Sequence, residues 1–271
     1  MHYQYAIVAV FMFFALAEAR HSKLFKKQHE VKDDGIVELL GTLLLFIFTQ
    51  PVVLFTAAAA ASLLVPQYEG ALADTSIWLQ FLLFLVFDDM MQYWWHRLSH
   101  SYIPLYKLHR AHHNAKYMSI RIVYRNNFFY YLCMPSLWLS GVLIYLGLGW
   151  VYAFYLVAKL TIIMGAHSEW KWDAALYKIP ALNPLMWIIE RTISTPSTHS
   201  GHHGLRKDDP ATNYKGNYGN MLFIWDMMFG TAKITRQYPH SYGVEGMRKA
   251  EWAEQLFWPL IKPVKPIKKD K

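Results

Sequence analysis

Nine of the thirteen histidines fall in four short stretches of this 271-residue sequence. On a helix, residues three and four apart lie on one face as neighbours. The stretches WWHRLSH, LHRAHH, MGAHSEW and STHSGHH supply His96, His100, His109, His112, His113, His167, His199, His202 and His203. Neutral imidazoles bind iron, zinc or copper, and nine are too many for one tetrahedral centre. The spacing therefore predicts a site for two metal ions.

A purely structural role for these histidines is the alternative. The remaining histidines stand apart, and we expect His2, His21, His29 and His240 to be surface or hydrogen-bonded core residues. Nine buried imidazoles without a metal would leave several polar groups unsatisfied, each at a cost of about 1–3 kcal/mol. Clustering on this scale favours metal binding.

Other sites are not supported by the sequence. The single cysteine, Cys133, excludes a disulfide framework, a thiolate zinc site and a cysteine-held iron–sulfur cluster. No H-E-x-x-H or G-x-S-x-G motif is present, which argues against a zinc protease and a serine hydrolase. The sequence also has no phosphate-binding loop or dinucleotide fingerprint. We therefore expect any reducing equivalents that the metal site uses to come from a partner protein.

Long apolar runs predict the elements that position the histidines. Hydrophobic residues make up 54% of the chain and charged residues 17%. A bilayer-spanning helix needs about 20 apolar residues. The runs cover residues 3–19, 36–64, 77–95, 126–145 and 151–166, the last two joined by LGLGW. We expect an all-α integral membrane protein with four to five transmembrane or re-entrant helices, the second kinked or tilted at Pro51.

The first run has a second interpretation, because ALAEA resembles the cleavage site of a signal peptide. Its leader, MHYQ, lacks the positive charge that signal peptides carry. We therefore favour a retained span.

The net charge of +8 is explained by topology. Of the 27 Lys and Arg residues, 26 lie in residues 20–34, 97–125 and beyond 166, whereas 65–76 and 146–150 contain none. The positive-inside rule places the three basic segments, and the histidines beside them, in the cytosol. Binding to nucleic acid would need a basic patch with groove-reading motifs, and we expect none. The lysines of the C-terminal tail, Lys262, Lys265, Lys268, Lys269 and Lys271, are expected to contact anionic lipid or to act as a topology signal.

A carboxylate inside the third run is a further candidate. Asp89, Tyr93, His96 and His100 follow one another at intervals of four, three and four, which places them on one helical stripe. A carboxylate in a membrane span is costly and therefore a functional candidate. We expect Asp89 or Asp88 to fix a metal-binding imidazole through its free N–H. The alternative is a carboxylate that is merely solvated in a cavity.

From about Asp88 to Thr231 the sequence resembles the fatty acid hydroxylase/sterol desaturase superfamily of integral-membrane di-iron enzymes. DDMMQYWWHRLSH resembles the first histidine box of that family, LHRAHH the second and TPSTHSGHHG the third, while NYGNMLFIWDMMFGT resembles the block that follows. His167 is similar to an additional histidine upstream of the third box. Many relatives have two adjacent histidines and a basic residue in the third box. This chain has Thr198, Ser200 and Gly201 around His199, so contacts near Ser200 are expected to differ.

The resemblance implies membrane helices under a helical cytosolic cap that holds two ferrous ions (Fe2+). It implies O2 as co-substrate, a separate electron-donor protein, and hydroxylation or desaturation of a membrane lipid such as a sterol or an acyl chain. Three segments follow: N-terminal membrane helices (1–76), a fatty acid hydroxylase-like catalytic domain (77–235) and a basic cytosolic tail (236–271). In the block after the third box, Asn217 is expected to be a polar neighbour of the metals and Asp226 to be structural.

Two other functions remain alternatives. A histidine-rich membrane protein that binds or transports metal would need histidines or carboxylates along its spans, whereas these histidines gather on one side. A catalytically inactive scaffold would be expected to have a broken box, and all three boxes are intact.

Overall fold

The fold is built from α-helices. The computed structural model describes residues 3–22, 24–25, 27–247 and 250–263, and these residues contain no β-strand. The expected all-α fold class is confirmed for this part of the chain. His2 and the tail residues Lys265, Lys268, Lys269 and Lys271 lie outside the described residues.

The helices are α1 (Tyr3–His21), α2 (Asp34–Leu64), α3 (77–101), α4 (Ile103–His113), α5 (Phe128–Leu132), α6 (Pro135–Leu143, continued by a π-helical turn at Ile144–Leu148), α7 (Gly149–His167), α8 (Trp172–Leu176), α9 (Asn183–Thr192), α10 (Pro196–His202), α11 (Ile224–Met228) and α12 (Trp252–Phe257).

Two helical stretches, Asp34–Leu64 and Pro135–His167, are long and apolar enough to cross a membrane by length and composition. The second is divided at Gly147, whose φ of +105° turns the chain between α6 and α7. The predicted run at 126–145 is also divided, because the extended Met134 separates α5 from α6. Pro135 explains this break, since the residue before a proline is disfavoured in the helical conformation. The expected number of spans remains a prediction.

Pro51 does not interrupt α2. A π-helical turn occupies Leu44–Thr49, immediately before the proline, and the helix continues through it to Leu64. A proline clashes with the carbonyl four residues earlier and cannot donate a backbone hydrogen bond. The wider turn accommodates both defects inside one continuous helix.

Close helix packing fixes α6 against α2. Gly141 of α6 lies so near α2 that a Cβ built on it would be 2.7 Å from both the Leu54 carbonyl oxygen and the Ala57 Cβ. No larger residue fits there without moving the backbone. This contact sets the spacing of two apolar helices beside the site.

A buried arginine joins the membrane-type helices to the region of the histidines. Arg125 is fully buried, and its Nη2 lies 2.7 Å from Oδ1 of Asp34 at the start of α2. Its Nε donates to the Ala111 carbonyl of α4 (2.9 Å) and its Nη2 to Gln255 of α12 (3.2 Å). Because a buried charge is tolerated only when it is paired and hydrogen-bonded, these contacts fix the loop that contains Asn126.

The packing of Gly141 gives a first prediction. Gly141→Ala should lower the free energy of unfolding by about 1–3 kcal/mol, because the added methyl group overpacks the contact with α2. The measurement is the thermal unfolding midpoint in detergent. Gly149→Ala is the control, since a Cβ there meets its nearest neighbour, Ile144 Cγ2, at an ordinary 3.7 Å. Equal midpoints for the two variants would show that the α2–α6 contact is not tight.

Candidate metal centre

Four helix ends bring the nine histidines together. The first box closes α3, the second box closes α4, His167 is the last residue of α7, and the third box lies on α10 and its C-terminal cap. Eight of the nine are buried, and His100 is half-buried. Helix α10 is short but well capped. Thr195 and Thr198 form a reciprocal capping box at its start, and Pro196 occupies the first turn.

The histidines form two groups. Within each group, every residue offers a ring nitrogen that lies within 4.8 Å of those of the other members. The five-histidine group is His96, His100, His109, His113 and His202, and the four-histidine group is His112, His167, His199 and His203.

The boxes are divided between the two groups in a regular way. In the second box, His109 and His113 enter the five-histidine group, whereas His112 enters the four-histidine group. In the third box, His199 and His203 belong to the four-histidine group, whereas His202 belongs to the five-histidine group. Neighbouring residues of a helix point about 100° apart, so each H-x-x-H-H motif can serve two centres at once.

Backbone carbonyls orient the imidazoles. The Nδ1–H of His96 donates to the Tyr218 carbonyl (2.7 Å), and that of His202 donates to the Gly216 carbonyl (2.7 Å). In the other group, His112 donates in the same way to Ile122 (2.9 Å). The remaining bonds of this kind join His167 to the Ile163 carbonyl (2.8 Å) and His109 to Oδ1 of Asn126 (2.8 Å). In all five rings, the Nε2 lone pair is therefore left to face the group.

These lone pairs face one another. His96 Nε2 and His202 Nε2 are 3.0 Å apart, and His112 Nε2 and His167 Nε2 are 3.4 Å apart. A neutral imidazole carries one N–H, and in these rings Nδ1 uses it. Burial lowers the pKa of His96 to about 4 and that of His202 well below its usual value, so both rings are neutral at pH 7. The Nε2 contact between these two rings is therefore not a hydrogen bond, and a shared cation would relieve the repulsion.

Two further ring nitrogens are buried without a hydrogen-bond partner. They are Nδ1 of His199 and Nε2 of His203, both in the four-histidine group. Burial is also the largest cause that lowers the pKa of each of these rings well below its usual value. Buried polar atoms are normally satisfied. The donor set, buried neutral imidazole nitrogens that converge, fits a divalent transition metal.

Asn217 positions two of the carbonyl acceptors without touching a histidine ring. It lies between Gly216 and Tyr218 and adopts a left-handed conformation (φ +55°). Its Nδ2 donates to the carbonyls of Thr198 (2.8 Å) and Lys233 (2.9 Å). The segment on which it lies is thereby fixed to α10, so the carbonyls on either side of Asn217 reach His202 and His96.

Asp226 supports the same segment. Its carboxylate accepts from the backbone N–H groups of Tyr218 (2.8 Å) and Gly219 (2.7 Å) and from the Thr231 hydroxyl (2.5 Å). These contacts agree with the structural role expected for this residue.

The expected contact between a carboxylate of α3 and a histidine does not form. Asp89 accepts from Trp225 Nε1 (2.8 Å) and from the Leu222 N–H (3.2 Å). Asp88 accepts from the hydroxyl of Tyr155 (2.6 Å) and from Lys159. Both carboxylates face partners other than the histidines, because the imidazole N–H groups already donate to carbonyl oxygens.

Sequence reasoning missed the groups that receive the imidazole N–H bonds. Most are main-chain carbonyls, such as those of Ile122, Gly216 and Tyr218, and any residue type supplies a carbonyl. Asn126 is the exception as a side chain, but nothing in its sequence surroundings distinguishes it. Of the histidines expected to stand apart, the three that lie within the described residues do so: His21 and His29 are exposed, and the exposed His240 pairs with Asp209.

Two cavities reach the histidines from different directions. One, of about 360 Å³, is lined by His100, His113 and His202 and extends to the exposed Lys207 and Lys215. The other is narrow, about 50 Å³, and contacts histidines of both groups, namely His109, His112 and His167. The centre is therefore accessible from the surface and from the helix bundle.

Comparison with known proteins agrees with this site. Residues 81–231 match the model of the family described as fatty acid hydroxylase. The alkylglycerol monooxygenase of Xenopus tropicalis is 29% identical over 167 residues, which cover 58% of this chain and 31% of that protein. The alkylglycerol monooxygenase of Danio rerio is 32% identical over 161 residues, 58% of this chain and 31% of that protein. The chain thus spans less than a third of the length of these relatives. No solved structure matches it.

The position of Asn217 gives a second prediction. Asn217→Asp keeps the shape of the side chain but replaces the Nδ2 donor by an acceptor opposite the carbonyls of Thr198 and Lys233. The free energy of unfolding should fall by about 1–3 kcal/mol, measured as the thermal midpoint of the purified protein. Asn183→Asp is the control, because Asn183 is exposed and its Oδ1 accepts from Arg236, as a carboxylate would. An unchanged midpoint for Asn217→Asp would contradict the positioning role.

Proposed function

Because the chain belongs to the fatty acid hydroxylase family, we propose that it is a membrane-bound, metal-dependent oxygenase that uses O2 to hydroxylate or desaturate a C–H bond of a lipid. The observation that carries this proposal is the pair of histidine groups. In one group the Nε2 lone pairs of His96 and His202 face each other, and in the other those of His112 and His167 do. Family membership supports the proposed reaction class, and the histidine donor atoms support the proposed location of the metal ions.

The proposed cofactors are two iron ions, Fe2+, one in each histidine group. Imidazole nitrogens that share one ion about 2.1 Å away lie about 3 Å apart when they are adjacent ligands. The Nε2 separations support this assignment, with 3.0 Å between His96 and His202 and 2.8 Å between His167 and His199. Bound iron would supply the activation of O2 that removal of a hydrogen from an unactivated carbon requires.

The chain's own contribution is to fix the orientation of the ligands and to bury them. Each Nδ1–H bond to a carbonyl prevents the imidazole from turning and makes Nε2 a better donor to a metal. Burial excludes water from the reacting carbon. Electrons would come from a separate donor protein, for which the cavity at the half-buried His100 offers an approach from the surface.

We propose that the lipid reaches the site from the membrane. In this arrangement the chain crosses the bilayer several times, with residues 1–76 as N-terminal membrane helices and the histidines on the cytosolic side. Residues 77–235 form the catalytic domain with its helical cap, and residues 236–271 form a basic cytosolic tail. The names of the relatives make an alkylglycerol the first substrate to test.

The ligand assignment is tested by the metal content of two adjacent variants. His112→Ala and His113→Ala remove ligands from different groups, so each purified variant should lose about one of two bound iron ions. Elemental analysis of the protein measures the loss. His21→Ala, at an exposed position outside both groups, should keep the wild-type content. If His112→Ala and His113→Ala bind as much iron as the wild type, the histidines are not the ligands.

The reaction is tested with purified, iron-loaded protein, a chemical reductant and an alkylglycerol in micelles. Wild type should convert the lipid to a product that has gained one oxygen atom or lost two hydrogens, and only when O2 is present. His112→Ala should lower the rate at least about 100-fold. Mass spectrometry of the extracted lipid measures both results. Full metal content without an O2-dependent product from any membrane lipid would favour a metal-binding or metal-transporting protein instead.

A further inference from the structure

Two small cavities lie side by side between the histidines and the apolar helices. The cavity of about 50 Å³ that contacts His109, His112 and His167 adjoins a second one of about 70 Å³. The outer cavity lies among α2, α3, α6 and α7. Both cavities are lined by Gln92, Tyr124, Tyr131 and Ile163, so they adjoin each other at these side chains, and we name the two adjoining cavities the path.

Two polar atoms of the residues that line both cavities have no hydrogen-bond partner. They are Oε1 of Gln92 and the hydroxyl of Tyr124, and both atoms are buried. An unsatisfied buried polar group is rare in a native protein, because its desolvation is not compensated. Gln92 precedes His96 by one helical turn, so the two side chains lie on the same face of α3.

Ser136, which lines only the outer cavity, also has a buried hydroxyl without a partner. Several other polar side chains of the path already have partners. Asp88 accepts from Tyr155 and Lys159, and Asn126 is bonded to His109 and Tyr131. A lipid that enters the path therefore meets Gln92 and Tyr124 as groups whose hydrogen bonds are still to be made.

We propose that Gln92 and Tyr124 bind a free hydroxyl group of the lipid substrate, close to the carbon that reacts. The Oε1 of Gln92 only accepts a hydrogen bond, and the Tyr124 hydroxyl donates one. A hydroxyl group makes both bonds at once. An ether or ester oxygen only accepts and would leave Gln92 Oε1 unsatisfied.

The substrate class that follows is a lipid with an unesterified hydroxyl near the reacting carbon. This inference rests on the proposed function, because it takes the histidine end of the path as the place of reaction. It adds to that function a recognition step made by residues outside both histidine groups.

The test is a binding competition that does not depend on turnover. The probe is tritiated 1-O-hexadecylglycerol in detergent, displaced either by the unlabelled lipid or by its 2,3-di-O-methyl ether. Wild type should bind the diol about tenfold more tightly than the ether. Gln92→Leu and Tyr124→Phe should each reduce this preference to about twofold or less.

Tyr152→Phe is the matched control, because the Tyr152 hydroxyl lines the outer cavity but accepts from Gln50 at 3.0 Å. It should keep the wild-type preference. Thermal midpoints of all variants check folding, and Tyr124→Phe removes a single atom. A wild type without preference for the diol, or variants that keep it, would overturn the proposal.

The binding result and the oxygenation assay can fail separately. Wild type that prefers the diol but does not oxidise it supports the recognition site and contradicts the proposed reaction for that lipid. Wild type that oxidises diol and ether equally, with Gln92→Leu and Tyr124→Phe unchanged, contradicts the recognition site and supports the oxygenase.

Discussion

Nine imidazole rings in one largely buried cluster can coexist only if each ring has a defined orientation. Two neutral histidines that face each other through lone pairs, as His96 and His202 do at 3.0 Å, repel each other unless a cation lies between them. In five of the nine rings the direction is set by the acceptor of the Nδ1–H, which is a main-chain carbonyl for four of them and the Asn126 side chain for His109. The structure outside the histidine boxes serves largely to hold those carbonyls in place.

That support extends outward to the apolar helices. Arg125 pairs with Asp34 at the start of α2 and contacts the carbonyl of Ala111 in α4, and its neighbour Asn126 accepts from His109. A chain of bonds therefore runs from a candidate membrane helix to a histidine of the five-histidine group. Asp226 likewise holds the segment around Tyr218 in place, because it accepts a hydrogen bond from the Tyr218 N–H.

The histidine spacing predicted which histidines share a helix face, and the location of all four stretches on one predicted side of the membrane predicted that they converge. The division of the second and third boxes between the two groups was not predictable, since it depends on how α4 and α10 are rotated against each other. The partners of Asp88 and Asp89 were missed for a related reason. Trp225, Tyr155 and Lys159 are distant in sequence, and only the packed helices bring them to these carboxylates. The second run was predicted to be kinked or tilted at Pro51, and the structure places a π-helical turn immediately before this proline.

The division of the second and third boxes has a mechanical consequence. His112 and His113 are neighbours on one peptide backbone yet belong to different groups, as do His202 and His203. The distance between the two groups is therefore set by the geometry of consecutive residues, both at His112 and His113 and at His202 and His203. No hinge or sliding of domains can draw the groups apart while both helices stay intact. Any adaptation to molecules of different size must come from the walls of the passages around this rigid pair.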